Sequence, residues 1–173
     1  MTGNPSDEVG ALHAEVEREA RRLHVIHADR LACTRGCASC CQDELTVFAI
    51  EAEVISARYA ELLTNAAPHP VGACAFLDDA GACRVYDARP YVCRTQGLPL
   101  RWLDEDSDGP IELRDICPLN EPGPPLEALP EQACWTLGPV EEQLATLQVR
   151  ASPDVPRISL RSMFRRQVAF TSR

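Results

Sequence analysis

The sequence contains no lysine; all 17 of its basic residues are arginine. That absence removes a Walker-type phosphate loop, a Schiff-base lysine and any lysine general base from the available chemistry. Long apolar runs are missing too. No stretch approaches the ~18 apolar residues of a membrane span. The first eight residues, Met1 to Glu8, are polar and acidic, without the basic start and apolar run of a secretory leader. A cytoplasmic protein with no membrane contact is expected. Aromatic residues make up only 5% of the chain, and Leu, Ile, Val and Phe together number 40 of 173. That is not far above the ~20% at which folding by burial alone becomes doubtful. A core this thin gains from additional cross-links.

The length of 173 residues argues for one domain. The net charge of −9 is unevenly spread: residues 1–149 carry 25 acids and 11 Arg (−14), and residues 150–173 carry one acid and 6 Arg (+5). The acidic body speaks against nucleic-acid binding by the whole protein. The basic C-terminal stretch suits an acidic face, either of the body itself or of a protein partner. Nine cysteines remain to be explained. In a reducing compartment they are poor candidates for disulfides, and the odd count agrees. Metal binding is the leading alternative.

The chain divides into an N-terminal helix (1–32), a cysteine-rich core (33–120), a Pro-rich connection with a helix (121–149) and a basic tail (150–173). Val9, Leu12, Val16, Ala20, Leu23 and Ile26 recur at helical spacing and predict a helix over 7–31 capped by Ser6. A second helix is predicted from Val47 to Leu63 with Thr46 as cap. Asp87 suits a single helical turn, with Pro90 tolerated only at a helix start. Leu98, Leu100 and Trp102 alternate, as do Ile111 and Leu113, around the turn-forming Asp104 to Pro110, which reads as a β-hairpin. Pro139 opens a helix to about Val149, and a last short helix is expected over Leu160 to Phe170. The tail is expected to lie peripheral to the cysteines. The fold class is therefore a small α-rich single domain with a minor β-hairpin, organised around a cysteine-ligated metal site.

Cys33, Cys37, Cys40 and Cys41 fall within nine residues, and Cys37 to Cys40 is a CxxC spacing. Thiolates are soft ligands that suit Zn²⁺ or iron–sulfur clusters far better than Mg²⁺ or Ca²⁺. The side chains of adjacent Cys40 and Cys41 diverge, so they serve two metals, or one ligates while the other packs. The Cys33-x₃-Cys37-x₂-Cys40 spacing also occurs in radical iron–sulfur enzymes, but those sit on barrels of ~250 residues, and neither that length nor that pattern is present. Asp104, Asp106, Asp108 and Asp115 imitate half of a calcium loop; Pro110 and the neighbouring Gly and Pro residues forbid its two helices. His24 and His27 lie one turn apart, within reach of one metal, though polar helix positions explain them more simply. Arg84, Arg89 and Arg94 surround the central cysteines and would stabilise anionic thiolates.

These residues carry a resemblance. Cys33-x₃-Cys37-x₂-Cys40-Cys41, Cys74-x-Phe76-Leu77, the run from Gly81 through Arg89-Pro90-x₂-Cys93-Arg94 and the trailing Cys117 resemble the YkgJ-type cysteine-cluster family, the CxxCxxCC zinc- or iron-chelating domain. The resemblance implies metal chelation, with Cys33, Cys37, Cys40, Cys41, Cys74, Cys83, Cys93 and Cys117 as candidate ligands. Cys134 lies outside the pattern and is expected to be a buried thiol. The implied roles are a structural or redox module or, as in flagellin-lysine-methylating relatives, a metal-dependent enzyme or accessory subunit of a protein-modifying system. Irregular spacings of the later cysteines favour an iron–sulfur cluster over zinc.

Overall fold

The computed structural model describes residues 4–106 and 109–164. Helix α1 (Pro5–Ile26) begins with Pro5 at its first position and Asn4, not Ser6, as its cap; the Asn4 side chain accepts from the Ser6 N–H at 3.3 Å. It buries Val9, Leu12, Val16, Ala20 and Leu23, the stripe its sequence period lays down. It stops at His27, five residues or so before the expected end, where the His27 ring donates to the Ala133 carbonyl at 2.6 Å.

The expected second helix is shorter and split. Thr46 and Val47 form strand β1, which pairs antiparallel with β5 (Ile158–Ser159), so Thr46 is not a cap. Helix α2 (Ala49–Arg58) is started by Glu51, whose carboxylate accepts from the Phe48 N–H. Tyr59 leaves helical geometry, and α3 (Ala60–Asn65) follows. The short turn α4 (Tyr91–Arg94) starts after Pro90, as proline's fixed φ dictates. Strands β2 (Leu100–Asp106) and β3 (Gly109–Asp115) form the expected hairpin, with Trp102 opposite Leu113. The sheet extends further than a hairpin, because β4 (Trp135–Thr136) joins β2 in parallel. Asp104 and Asp115 thus stand on paired strands rather than in a loop between helices. Helix α5 (Pro139–Ala151) matches expectation to within its last turn. The helix expected over Leu160 to Phe170 is corrected: Arg161–Met163 is a single 3₁₀ turn following β5. Residues 165–170 lie outside the described residues. The mixture of helices with two small sheets is richer in strand than the α-rich expectation.

Two apolar clusters result. One gathers α1, α5, Ile50, Tyr91, Leu98 and Trp135. The other gathers Val47, Ala52, Ile55 and Leu63 with Phe76, Leu77, Val85, Leu160 and Phe164. Helix α2 feeds both, Ile50 toward the first and Ile55 toward the second.

Candidate metal centre

The cysteines lie on turns rather than on long elements. Residues 33–41 form consecutive turns after α1, with the Cys37 N–H donating to the Thr34 carbonyl and the Cys41 N–H to the Ala38 carbonyl. The Cys74 loop is docked on them by a backbone bond from the Cys74 N–H to the Cys41 carbonyl at 2.9 Å. Gly81 approaches Gly36 so closely that a Cβ would stand 3.0 Å from the Gly36 carbonyl, and its φ of +75° already demands glycine. All nine thiols are free.

Electrostatic neighbourhoods divide eight of them into two groups. Burial pushes the Cys33 thiol up, the Asn120 amide pulls it down, and Cys37, Cys117 and Cys40 push it up again. The Ser39 hydroxyl stands 3.7 Å from Cys37 Sγ and 3.9 Å from Cys117 Sγ. Cys33, Cys37, Cys40 and Cys117 therefore make one neighbourhood. Cys41 faces Cys40, Cys74 and Cys93. Burial pushes Cys93 up to about 12, with Cys74, Cys83 and Cys40 adding to it. Cys83 is likewise raised, by burial first and then by Cys74. Cys41, Cys74, Cys83 and Cys93 make the second neighbourhood, and the Cys40–Cys41 dipeptide joins the two. A thiol hydrogen bond within that dipeptide lowers Cys40 to about 6 and holds Cys41 far above the usual thiol range.

The donor set is thiol alone. The nearby carboxylates are engaged elsewhere: Asp43 with Arg161 (2.7 Å) and the Gly72 N–H, Glu51 with His13 (3.0 Å) and the Tyr91 N–H (2.7 Å). That donor chemistry fits zinc or iron and does not fit Ca²⁺ or Mg²⁺. Among the described residues, no group of three or more His, Cys, Asp and Glu side chains converges tightly enough to enclose an ion as it stands. His24 and His27 are spent on the carbonyls of Ala20 and Ala133 and do not reach the thiols. Cys134 is buried and separate, near Arg114 (3.9 Å).

The arginines divide their work. Arg84 donates to the Ala67 and Ala75 carbonyls and lies over the Phe164 ring, 5.2 Å from its centroid. Arg89 and Arg94 share Glu17 of α1, at 3.1 and 3.2 Å, rather than the nearby Asp87 or Asp78 side chains. Two guanidiniums against one carboxylate leave positive charge beside the thiols, and Arg89 lowers both Cys40 and Cys83. Glu17 carried no sequence signal, being far away on a helix already explained by its apolar stripe.

The basic C-terminal stretch is not peripheral where the structure describes it. Arg161 donates to Asp43 and to the carbonyls of His69, Pro70 and Ala73, pinning the loop that leads into Cys74. Its charge reaches the Cys74 thiol. Arg150 pairs with Glu8 at 2.8 Å, and Arg157 donates to the Thr46 carbonyl at 2.9 Å over the Phe48 ring. For Arg150 and Arg161, the acidic partner is on the body of the same chain. Arg165, Arg166 and Arg173 lie outside the described residues.

No helix is long and apolar enough to cross a membrane among the described residues. Residues 32–115 match the family model CxxCxxCC, described as "Putative zinc- or iron-chelating domain". Neither a curated protein nor a solved structure matches the chain.

Proposed function

We propose, for a chain whose residues 32–115 belong to the CxxCxxCC family of zinc- or iron-chelating domains, that its clustered thiols hold metal at two adjacent four-cysteine sites and serve as a structural or redox module. An outer site would use Cys33, Cys37, Cys40 and Cys117, and an inner site Cys41, Cys74, Cys83 and Cys93. The observation that carries this reading is the grouping of the thiols: Cys33 has Cys37, Cys40 and Cys117 as electrostatic neighbours, while Cys41 has Cys74 and Cys93, and Cys93 has Cys74 and Cys83. Four thiolates are the full ligand set of a structural zinc or of an iron–sulfur cluster. A bound cluster would supply electron transfer, and a bound zinc would supply cross-linking alone. The protein's part is to carry the charge of the thiolates. Arg89 and Arg84 would offset charge at Cys83, and Arg161 and Arg84 at Cys74, with Glu17 shared between Arg89 and Arg94.

Metal analysis of anaerobically purified protein, with its visible absorption and acid-labile sulfide, tests the reading. Iron with matching sulfide and a coloured protein marks the cluster form that the irregular cysteine spacings favour. A colourless protein with about two equivalents of zinc marks the other. A folded protein that binds neither overturns the proposal.

A further inference from the structure

Beside Cys33 stands a side chain that neither the cysteine pattern nor the matched residues 32–115 include. Asn120 is completely buried, with 0% of its surface exposed. Its Nδ2 donates to the Gly97 carbonyl at 2.8 Å and to Cys33 Sγ at 3.2 Å, while its Oδ1 accepts from the Ala32 N–H at 2.8 Å. The amide has one tenable orientation. Turning it over would set its oxygen against the Gly97 carbonyl and its NH₂ against the Ala32 N–H, leaving buried groups unsatisfied. The backbone of Asn120 is held as firmly. Its N–H donates to the Cys117 carbonyl at 2.7 Å, and its carbonyl accepts from Arg30 Nε at 3.0 Å. Gly97 completes the enclosure. A Cβ there would stand 2.6 Å from Cys33 Sγ and 3.2 Å from Asn120 Nδ2, and its φ is +89°. Only bare backbone leaves room for the sulfur.

A sulfur accepts a hydrogen bond weakly as a thiol and strongly as an anion. A buried N–H held in place by two other bonds therefore fixes where the Cys33 sulfur lies. Hydrogen bonds to ligating sulfurs are among the levers by which a protein tunes a metal–thiolate site. We infer that Asn120 is a positioning residue for the outer site: its amide orients the Cys33 sulfur across a gap that Gly97 keeps open. This rests on the two-site reading above. It also assigns a role to the segment after Cys117, which ties Cys33 to Cys117, the first and last of the eight clustered cysteines.

The test is a titration of the full chain with Co²⁺ under reducing, anaerobic conditions, read by sulfur-to-metal charge-transfer absorption. Asn120→Asp keeps the acceptor for the Ala32 N–H and loses both donors. It should fill the inner site as the native protein does and bind at the outer site about 10–100-fold more weakly, with a displaced charge-transfer band. Native affinity and an unchanged band in Asn120→Asp would reduce Asn120 to a loop tie and overturn the inference. A measurement on the native chain guards against misfolding of the variant. With the NMR-active cadmium isotope bound, a scalar coupling should appear between the metal and the Asn120 side-chain N–H; its absence, with that resonance unmoved by cadmium, overturns the inference too. Failure of the native chain to bind either metal removes the two-site reading and the inference with it, and the native titration tells that outcome apart from a failure of Asn120 alone.

Discussion

Around α1 and α5, Val9, Leu12, Val16, Leu23, Leu144 and Leu147 close on one another, and Tyr91 and Trp135 lock by a buried hydrogen bond of 2.8 Å. Around the cysteines, Cys33 to Gly36 lie exposed, and the chain runs as turns from Ala32 to Leu45 and again from Val71 to Val85. Arg161 and Arg84 tie these turns to their surroundings through the Ala73 and Ala67 carbonyls, and within the turns Asp78 accepts from the Ala80 and Ala82 N–H groups. Each well-buried aliphatic side chain of the helical part contributes about 1.5–3 kcal/mol. A structural thiolate site contributes about 10–16 kcal/mol when metal is bound. On the proposed reading, one loaded site would outweigh several leucines in a chain with so few large apolar residues.

Stripping the metal should break that comparison most sharply. Under strong chelation, amide exchange should rise by orders of magnitude in residues 33–41 and 74–94, while the α1 and α5 amides keep most of their protection; equal loss in both would mean the helical part cannot stand alone. Next in size is Cys93→Ser. It should cut metal content by about half, since one of two four-ligand sites is broken, and lower the melting temperature. Cys134→Ser should do neither, and a metal loss there would redraw the ligand set. In the helical part, Leu23→Ala should destabilise by about 2–5 kcal/mol in a denaturant titration while leaving metal stoichiometry intact. Metal lost in step with stability would show the two regions to be one cooperative unit.

The smallest effect lies at the seam between them. Burial disfavours charged Glu17, but the hydrogen bond from Arg89 and the charges of Arg89, Arg94 and Arg21 outweigh it and hold the carboxyl below its ordinary value. A carboxyl lowered on folding adds stability that is complete above its unfolded value of about 4.3. That stability is lost as pH falls through the folded value. Melting curves of Glu17→Gln should lack this acid-side loss; parallel decline of both proteins below about pH 4 would show that the seam carries no charge coupling.

Helix α1, the hairpin β2–β3 and helix α5 were legible because their signals are local: an apolar stripe, an alternation around a turn, a proline at a helix start. The eight clustered cysteines were legible as residue types. Their sorting into two neighbourhoods was not, because it depends on which loop docks on which, and the expected divergence of Cys40 and Cys41 is corrected by the hydrogen bond between their thiols. The same holds for β1 with β5, two strands of two residues each from distant parts of the chain. It holds again for His13 with Glu51, for Glu17 with its two arginines and for Asn120 with Cys33. Each is a choice of partner made across the fold, and periodicity carries no information about partners. The expected peripheral position of the tail failed for a related reason: the charge of the stretch does not tell that Arg161 spends its donors on carbonyls of the loop entering Cys74.

That arginine has a consequence for how the protein is made. Synthesis runs from the N-terminus, so every one of the eight clustered cysteines is translated before Ile158 to Phe164. Until that segment leaves the ribosome, β1 has no partner strand and the loop entering Cys74 has no guanidinium to hold it. The nascent chain thus presents all eight thiols with that fastening still to come, and on the proposed reading the order of translation sets an interval for metal delivery.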